Sequence, residues 1–178
     1  MSTINEAALE RAKRVRLMIF DVDGVLTDGK LWYGPEGEAL KAFHSLDGHG
    51  IKMLAASGVA SAILSGRRSQ AVAQRAAELG IAHVLQGIDD KLAAYSELLR
   101  QLGLAADATG YVGDDVVDLP VLTRCGLACA PREAPQAVRQ RVHYVCQSPA
   151  GAGAVREICE LLMRAQGSLD AALARYLA

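Results

Sequence analysis

Aromatic residues are scarce in this sequence, at 4% of 178 residues, with one Trp and two Phe. The core must therefore be built mainly from Ala, Leu, Val and Ile, and an apolar content of 51% argues against disorder. No apolar run is long enough to cross a bilayer. An excess of one charge is also lacking, since 19 basic and 20 acidic residues give a net charge of −1. Without a basic block, nucleic acid and membranes are poor candidates for partners.

Disulfide and targeting signals are missing as well. The first 16 residues are rich in Ala and charges, and the apolar run from Val15 is interrupted by Arg16, which is not the pattern of a signal peptide. No C-x-x-C pair occurs, which favours buried free thiols in a reducing cytosol. The four cysteines all lie in the last third of the chain: Cys125, Cys129, Cys146 and Cys159. We expect a cytoplasmic protein with one domain over residues 1–178.

Apolar segments of strand length alternate with helical patterns along the chain. Strands are predicted over residues 16–20, 60–64, 82–85, 109–112, 126–130 and 142–146. Helices are predicted over residues 48–56, 68–79, 90–102, 115–124, 134–140 and 152–163, with a short one from residue 169. This alternation is typical of βαβ units. It predicts an α/β fold in which a mostly parallel, Rossmann-like sheet is the middle of three layers.

Residues 29–44 interrupt the alternation and are predicted to form a β-hairpin inserted after the first strand. The segment contains Leu-Trp-Tyr, then Gly-Pro-Glu-Gly, then an alternating stretch from Ala39 to His44. It carries the only Trp and one of the two Phe. Large apolar side chains on a projecting hairpin indicate a covered face, which is either a subunit interface or a contact with the parent domain.

Two carboxylates follow the first predicted strand directly, in the run Phe20-Asp21-Val22-Asp23-Gly24. Alternate residues of an extended chain point the same way, so Asp21 and Asp23 share a side if the strand geometry persists. Three interpretations are open: a calcium loop, the acid pair of a signalling receiver domain, and a phosphoryl-transfer site. The calcium loop fits poorly, because the EF-hand pattern has its glycine at loop position six and this glycine is at position four.

Polar residues also follow three other predicted strands, and open parallel sheets bind ligands at the carboxyl ends of their strands. They are Ser65, Gly66 and Arg67 after residues 60–64, Lys91 after residues 82–85, and Asp114, Asp115 and Asp118 after residues 109–112. Each group alone has an ordinary explanation as a turn, a solvated residue or a helix cap. Together they favour phosphoryl transfer. A receiver domain fits less well. The phosphorylated Asp of receivers follows an interior strand after an earlier acid pair, whereas here the residue after the strand at 60–64 is Ser65.

Each residue type has a chemical task in the hydrolysis of a phosphate monoester. Asp21 can attack phosphorus and form an acyl phosphate, and Asp23 can protonate the leaving alkoxide and then deprotonate water. Ser65 and nearby backbone N–H groups can donate hydrogen bonds to the phosphoryl oxygens, to which Lys91 adds a positive charge. Asp114 would complete a Mg²⁺ site. The other two acids, which can hold water near the metal or orient the lysine, are Asp115 and Asp118.

The order of these motifs resembles that of haloacid dehalogenase superfamily phosphatases. The matching segments are DVDGVLTD at residues 21–28, ILSGRR at residues 63–68, Lys91, and GDDVVD at residues 113–118. The resemblance implies that Asp21 is the nucleophile and Asp23 the general acid and base. It also implies that magnesium is bound by the Asp21 side chain, the Asp23 backbone carbonyl and Asp114. Ser65 stands where Thr or Ser is usual.

Over nearly the whole chain, the sequence is similar to the 3-deoxy-D-manno-octulosonate 8-phosphate phosphatase family, whose product is the eight-carbon acidic sugar of lipopolysaccharide. The similar segments are FDVDGVLTDG at residues 20–29, the hairpin, DGHGIK at 47–52, LSGRRS at 64–69, YVGDDVVDLP at 111–120 and GAVREICE at 153–160. Members of this family are small, capless and tetrameric. The resemblance implies that hairpins assemble the tetramer and that a neighbouring subunit helps to close each active site.

The same resemblance implies a set of sugar-phosphate contacts. They are Asp23, His44, Ser45, Leu46, Asp47, Gly48, Lys52, Ser65, Gly66, Arg67, Arg75 and Lys91. A cationic set suits a substrate with a carboxylate and a phosphate, because Arg binds such oxyanions bidentately. Arg75 is equally compatible with a solvated helix face.

Three further features bear on the active site and its substrate. Ala152 stands where an arginine is common in the family, so a contact between the C-terminal segment and a neighbour's site is in doubt. A sibling family hydrolyses nine-carbon, sialic-type sugar 9-phosphates, and its members tend to have a glutamate near Ser57-Gly58-Val59, where this chain has none. Insertions long enough for a cap domain are absent from residues 28–48 and after Lys91. We therefore expect another subunit to supply a wall of the site.

Overall fold

A six-stranded parallel sheet forms the middle layer of the computed structural model, which describes residues 6–177. The strand order is β5-β4-β1-β6-β7-β8, and β2 and β3 form a separate antiparallel hairpin. The strands are β1 (Leu17–Phe20), β2 (Trp32–Gly34), β3 (Gly37–Leu40), β4 (Ala60–Ser65), β5 (His83–Gln86), β6 (Thr109–Val112), β7 (Leu127–Ala130) and β8 (Tyr144–Val145). The predicted α/β class and the mostly parallel sheet are thus confirmed.

Helices cover both faces of this sheet. They are α1 (Glu6–Ala12), α2 (Ser45–Ala56), α3 (Gln70–Leu79), α4 (Lys91–Leu102), α5 (Leu119–Leu122), α6 (Gln136–Arg139), α7 (Ala154–Ala165) and α8 (Leu169–Ala174). Two short 3₁₀ turns, at Ala106–Ala108 and Val116–Asp118, flank β6. None of the helices between residues 6 and 177 is long and apolar enough to span a membrane.

β1 is buried on both faces, as expected of a central strand in a parallel sheet. Met18 and Phe20 belong to the core cluster that includes residues of α1, α2, α3 and α7. Leu17 and Ile19 belong to the cluster on the other face, with residues of α4 and α5. The alternation of side chains along one apolar strand therefore serves two cores, and it holds the carboxyl end of β1 rigidly in the middle of the molecule.

The sheet has its topological switch point at β1. The chain first builds outward on one side, from β1 to β4 and β5, and then on the other, from β6 to β8. β1 pairs in register with both β4 and β6, so Phe20 lies opposite Ile63 and Val112. Loops leave in opposite directions at such a point and open a crevice at the strands' carboxyl ends. The polar residues after β1, β4 and β6 are thereby brought to one crevice.

The predicted hairpin is present, with shorter strands than the segment 29–44 allows. Trp32 pairs with Leu40 and Gly34 with Gly37 across the turn, where Gly37 has a φ of +112° that favours glycine. The strand pairing stops at Leu40, so the expected alternation does not continue as a strand to His44. The residues after Leu40 turn back towards the sheet, and α2 begins at Ser45.

Three other elements differ from the sequence prediction. The helix expected over residues 115–124 is a 3₁₀ turn followed by the single turn of α5. The strand expected over residues 142–146 has only two paired residues, Tyr144 and Val145. α1 was not predicted, because its buried face consists of the alanines Ala8 and Ala12 and gives no strong apolar period.

Candidate active site

Asp21 is the first residue after β1, and its side chain is buried at the crevice. Its backbone N–H donates a hydrogen bond of 3.0 Å to the carbonyl of Val112, which continues the strand pairing for one more residue. Burial and the negative charge of Asp118 raise the pKa of Asp21 to about 6, although Lys91 acts in the opposite direction. A carboxylate is thus held at the end of a rigid strand in a place where its charge needs compensation.

Lys91 supplies part of that compensation. It is the first residue of α4, and its ammonium lies 2.9 Å from Asp21 Oδ2 and 2.6 Å from Asp118 Oδ1. Burial opposes its charge, but the two carboxylates outweigh this effect and raise the pKa of Lys91 above its usual value. The lysine is therefore a fixed cation at the crevice rather than a solvated residue on a helix surface.

Asp118 organises the loop after β6. Its Oδ1 accepts hydrogen bonds from Lys91 (2.6 Å) and from the Tyr111 hydroxyl (2.7 Å). Its Oδ2 accepts from the backbone N–H groups of Asp114 (3.1 Å) and Asp115 (3.2 Å). Both oxygens are thus occupied by two donors each. This geometry agrees with one of the two roles expected of Asp118, the orientation of Lys91.

Asp114 lies against the loop after β1. A Cβ at Gly24 would come 2.1 Å from Asp114 Oδ2, and Gly24 has a φ of +81°. Burial, together with repulsion from Asp21 and Asp118, raises the pKa of Asp114 to about 7. Glycine at position 24 therefore has two functions: it permits the left-handed turn, and it leaves room for the carboxylate of a second strand end.

Replacement of Gly24 by alanine tests this close approach. We expect Gly24→Ala to displace the Asp114 carboxylate and therefore to raise at least tenfold the Mg²⁺ concentration that gives half-maximal activity. A tenfold change corresponds to a loss of about 1.4 kcal/mol of binding free energy. Gly80→Ala is the matched control, since Gly80 has a φ of +72° with open space around its Cβ position. Both variants carry the backbone strain, of about 1–2 kcal/mol. A Mg²⁺ requirement that rises equally in both would contradict the proposed contact.

The donor set fits a divalent cation. Ligand oxygens of Asp21, Asp114 and Asp118 all lie within 4.8 Å of one another. Three carboxylates face one ammonium, and burial with mutual repulsion raises the pKa of two of them. Oxygen ligands of this kind suit Mg²⁺. Asp21 and Asp114 are the better ligands because both oxygens of Asp118 already accept two hydrogen bonds each.

Ser65 is the last residue of β4 and is buried beside the end of β1. The backbone N–H of Arg67 points at its hydroxyl from 3.4 Å, and Gly66 between them is exposed. The Ser65 carbonyl accepts a hydrogen bond of 3.2 Å from the N–H of Ile88, which ties the turn to the loop before Lys91. The turn thus holds the Ser65 hydroxyl at the end of β4, the strand that pairs with β1.

Asp23 lies under the hairpin within a group of four charged side chains, which we call the hairpin charge cluster. Its members are Asp23, Glu38, Lys41 and Arg67. Sequence reasoning included Asp23 and Arg67 but missed the other two. The sequence signal for these two residues is weak, because the segment that carries Glu38 and Lys41 is marked mainly by its apolar residues. Their approach to Asp23 depends on the hairpin folding back.

The segment from His44 to Gly48 forms the start of α2. His44 precedes the helix, and its Nδ1 is buried without a hydrogen-bond partner within residues 6–177. Ser45 and Leu46 are exposed on the first turn. Gly48 is packed under the guanidinium of Arg75, since a Cβ there would come 2.1 Å from Arg75 Nη2. The structure therefore brings Arg75 to this segment.

Asp47 and Lys52 take other positions. The Asp47 side chain is 1% exposed and accepts hydrogen bonds from the backbone N–H groups of Gly153 (3.2 Å) and Arg156 (2.8 Å) at the start of α7. This geometry favours a structural role as a helix cap over a sugar contact. Lys52 lines a cavity of about 340 Å³ between α2 and α8, beside Met53 and Tyr176.

Ala152 lies in the loop between β8 and α7. The adjacent Gly151 donates a backbone hydrogen bond of 3.1 Å to the carbonyl of Val25, and its own Cα packs so closely on Thr27 that a Cβ would come 2.5 Å from the Thr27 carbonyl carbon. The side chain at position 152 is exposed. Because residue 152 is alanine and not arginine, no long side chain extends from this position beside the loop that carries Asp21.

Comparisons with known proteins agree with this fold and site. A family model described as haloacid dehalogenase-like hydrolase matches residues 81–158. The chain is 44% identical over 169 residues to 3-deoxy-D-manno-octulosonate 8-phosphate phosphatase KdsC of Escherichia coli strain K12, covering 95% of this chain and 90% of that protein. The parallel sheet and its carboxylate site thus define a haloacid dehalogenase-like hydrolase.

Solved structures narrow the class. A probable YrbI family phosphatase from Pseudomonas syringae has a TM-score of 0.95 and 47% identity, covering 97% of this chain and 98% of that one. 3-Deoxy-D-manno-octulosonate 8-phosphate phosphatase from Moraxella catarrhalis, solved with magnesium, phosphate and KDO, has a TM-score of 0.94 and 40% identity, covering 98% and 99%. The chain belongs to the 3-deoxy-D-manno-octulosonate 8-phosphate phosphatase family.

Proposed function

We propose that this protein hydrolyses 3-deoxy-D-manno-octulosonate 8-phosphate to the free sugar acid and phosphate, with Mg²⁺ as cofactor and an aspartyl phosphate as intermediate. The observation that carries the proposal is the convergence of Asp21, Lys91 and Asp114, which follow β1, β5 and β6, at the carboxyl edge of the parallel sheet. The M. catarrhalis relative, with magnesium, phosphate and KDO in its structure, supports the same substrate. The reaction would serve the synthesis of lipopolysaccharide precursors.

In the first step, Asp21 attacks phosphorus with a carboxylate oxygen, and the bond from phosphorus to the sugar oxygen breaks. Asp23 gives its proton to that oxygen, so that the sugar leaves as an alcohol. In the second step, Asp23 takes a proton from a water molecule whose oxygen attacks the phosphorus of the acyl phosphate. The carboxylate of Asp21 is released, and the enzyme returns to its starting state.

Three groups hold the phosphoryl oxygens during both steps. The Ser65 hydroxyl and the backbone N–H groups of its turn donate hydrogen bonds, and Lys91 contributes a fixed charge that also restrains Asp21. Asp118 holds Lys91 and the N–H groups after β6 in place. Mg²⁺, held by Asp21, Asp114 and the Asp23 carbonyl, would offset the repulsion between the nucleophile and a doubly charged phosphate monoester.

A phosphate-release panel tests the proposal. Purified protein is assayed with the eight-carbon 8-phosphate, nine-carbon sialic-type 9-phosphates and simple hexose phosphates, with Mg²⁺ and with a chelator. We expect release from the eight-carbon ester to have the highest kcat/KM and to require Mg²⁺. A higher kcat/KM for the nine-carbon esters would instead show that the protein is a phosphatase of sialic-type sugar 9-phosphates. A stable aspartyl phosphate without turnover would instead indicate the receiver-like alternative.

We also propose that the protein works as a homotetramer in the cytoplasm. The support for assembly is the row of apolar side chains exposed on the hairpin, which includes Trp32, Tyr33 and Leu40. Exposed apolar groups clustered on a projecting element are typical of interfaces. A neighbouring subunit would then help to enclose the sugar. The location is supported by four buried free cysteines and the absence of a membrane-spanning helix within residues 6–177.

Leu40→Glu tests the assembly. Leu40 is 68% exposed in the isolated chain, so a charge there costs little in the monomer but is unfavourable in a covered interface. We expect the variant to elute from gel filtration as a smaller species and to show at least a tenfold higher KM. The matched control is Leu177→Glu, at a leucine that is 86% exposed near the C-terminus. Wild-type protein that is fully active as a monomer would contradict the tetramer.

A further inference from the structure

Lys41 is a buried cation that the proposed reaction steps do not yet use. It follows β3 directly, and its side chain is only 2% exposed. The ammonium contacts Asp23 Oδ1 and lies 3.0 Å from Glu38 Oε2. Burial of an ammonium is costly unless acids compensate it, so this lysine is fixed between its two partners.

The second cation of the hairpin charge cluster is arranged differently. Arg67 Nε lies 3.6 Å from Asp23 Oδ2, and its Nη2 lies 3.6 Å from Glu38 Oε2. These distances exceed those of hydrogen bonds, and 40% of the Arg67 side chain is exposed. The two oxygens of Asp23 are therefore unequal: Lys41 holds Oδ1 directly, whereas Oδ2 has only a longer contact and is the oxygen available to carry a proton.

We propose that Lys41 is a positioning residue, which holds Asp23 Oδ1 so that Oδ2 delivers and accepts the proton. The inference rests on the proposed function, in which Asp23 is the general acid and base. In the first step the O–H bond at Oδ2 breaks and its proton moves to the leaving sugar oxygen as the bond from that oxygen to phosphorus breaks. In the second step a water O–H bond breaks and the proton returns to Oδ2 as the water oxygen bonds to phosphorus.

Glu38 is the second acid that holds the Lys41 ammonium. Because its carboxylate lies 3.0 Å from the Lys41 ammonium, the cation is shared between Glu38 of the hairpin and Asp23 of the loop after β1. The hairpin thereby sets the rotation of the Asp23 carboxylate, although it contributes no group to the phosphate.

Substrates with different leaving groups separate positioning from a general structural effect. A sugar alkoxide is a strong base and needs a proton as it leaves, whereas nitrophenolate is a far weaker base and leaves without one. The contrast is confined to the first step, because the second step, hydrolysis of the aspartyl phosphate, is the same for both substrates. We therefore expect Lys41→Met to lower the single-turnover rate of sugar release from the octulosonate ester about 10-fold to 100-fold, since general acid catalysis contributes 10²–10⁴-fold. The single-turnover rate of nitrophenolate release from p-nitrophenyl phosphate should fall by less than about threefold. Lys41→Arg, which keeps a cation, should recover part of the loss.

Lys30→Met is the matched control, because Lys30 is an exposed lysine at the base of the same hairpin. It should leave both single-turnover release rates unchanged. Equal losses in the two release rates in Lys41→Met, or no loss in either, would overturn the positioning role. If the wild-type protein does not hydrolyse the octulosonate ester, the proposed function fails. The comparison of leaving groups is then made with whichever sugar phosphate it does hydrolyse.

Discussion

Asp21→Asn is expected to reduce phosphate release by more than about 10⁴-fold, because an amide cannot form the covalent intermediate. The fold should persist. Burial and Asp118 raise the pKa of Asp21 to about 6, above its usual value of 3.8, so the ionised carboxylate destabilises the folded protein at neutral pH in the absence of metal. Removal of that charge should leave the melting temperature in chelator as high as that of the wild type, or higher.

Asp170→Asn provides the control for this variant, because Asp170 is an exposed acid on α8. It should retain wild-type turnover and stability. The informative measurements are phosphate release under single-turnover conditions and thermal unfolding with and without Mg²⁺. If Asp21→Asn forms a phosphorylated protein or retains more than a small percentage of activity, another group must be the nucleophile.

Lys91→Met is expected to have the second-largest effect. The substitution keeps an apolar stem but leaves Asp21 and Asp118 without their shared cation. We expect kcat to fall about 10²-fold to 10³-fold, as when one preorganised electrostatic group is removed. Removal of one partner of a buried ion pair costs about 3–5 kcal/mol, so the metal-free protein should also unfold at a markedly lower temperature.

Added Mg²⁺ should restore part of the stability of Lys91→Met, because a ligand that binds only the folded state stabilises it and brings positive charge to the same carboxylates. Lys13→Met is the control, since Lys13 is an exposed lysine near the end of α1. Its stability and kcat should match those of the wild type. Wild-type kcat in Lys91→Met would refute the electrostatic role of this lysine.

The strands that carry the site were predictable because their signals are local. β6 was predicted with its observed bounds, and β1 and β4 within one residue at each end. Short apolar segments that end in polar residues suffice for this, since a buried parallel strand needs apolar side chains on both faces and its end does not. The same locality allowed Asp21, Ser65 and Lys91 to be predicted as one group.

Features that depend on packing were not predictable in this way. α1 is held by Gln166, whose Nε2 donates to the carbonyls of Ala12 (3.0 Å) and Val15 (2.8 Å) across more than 150 residues of sequence. Asp47 was interpreted as a sugar contact, yet its oxygens cap α7, and only the approach of α2 to α7 makes that possible. Neither long-range contact leaves a pattern in the local sequence.

The sequence is enough to predict which strand ends carry acids, a hydroxyl and a lysine, and in which order. How these groups share their charge depends on the folded structure. It gave Asp118 four donors, placed Asp114 over Gly24, and folded the hairpin so that Lys41 reaches Asp23. The difference lies in the separation of the interacting residues along the chain, since strand patterns arise from residues that are neighbours in sequence. Buried charges, by contrast, are compensated by whichever distant partners the fold brings close.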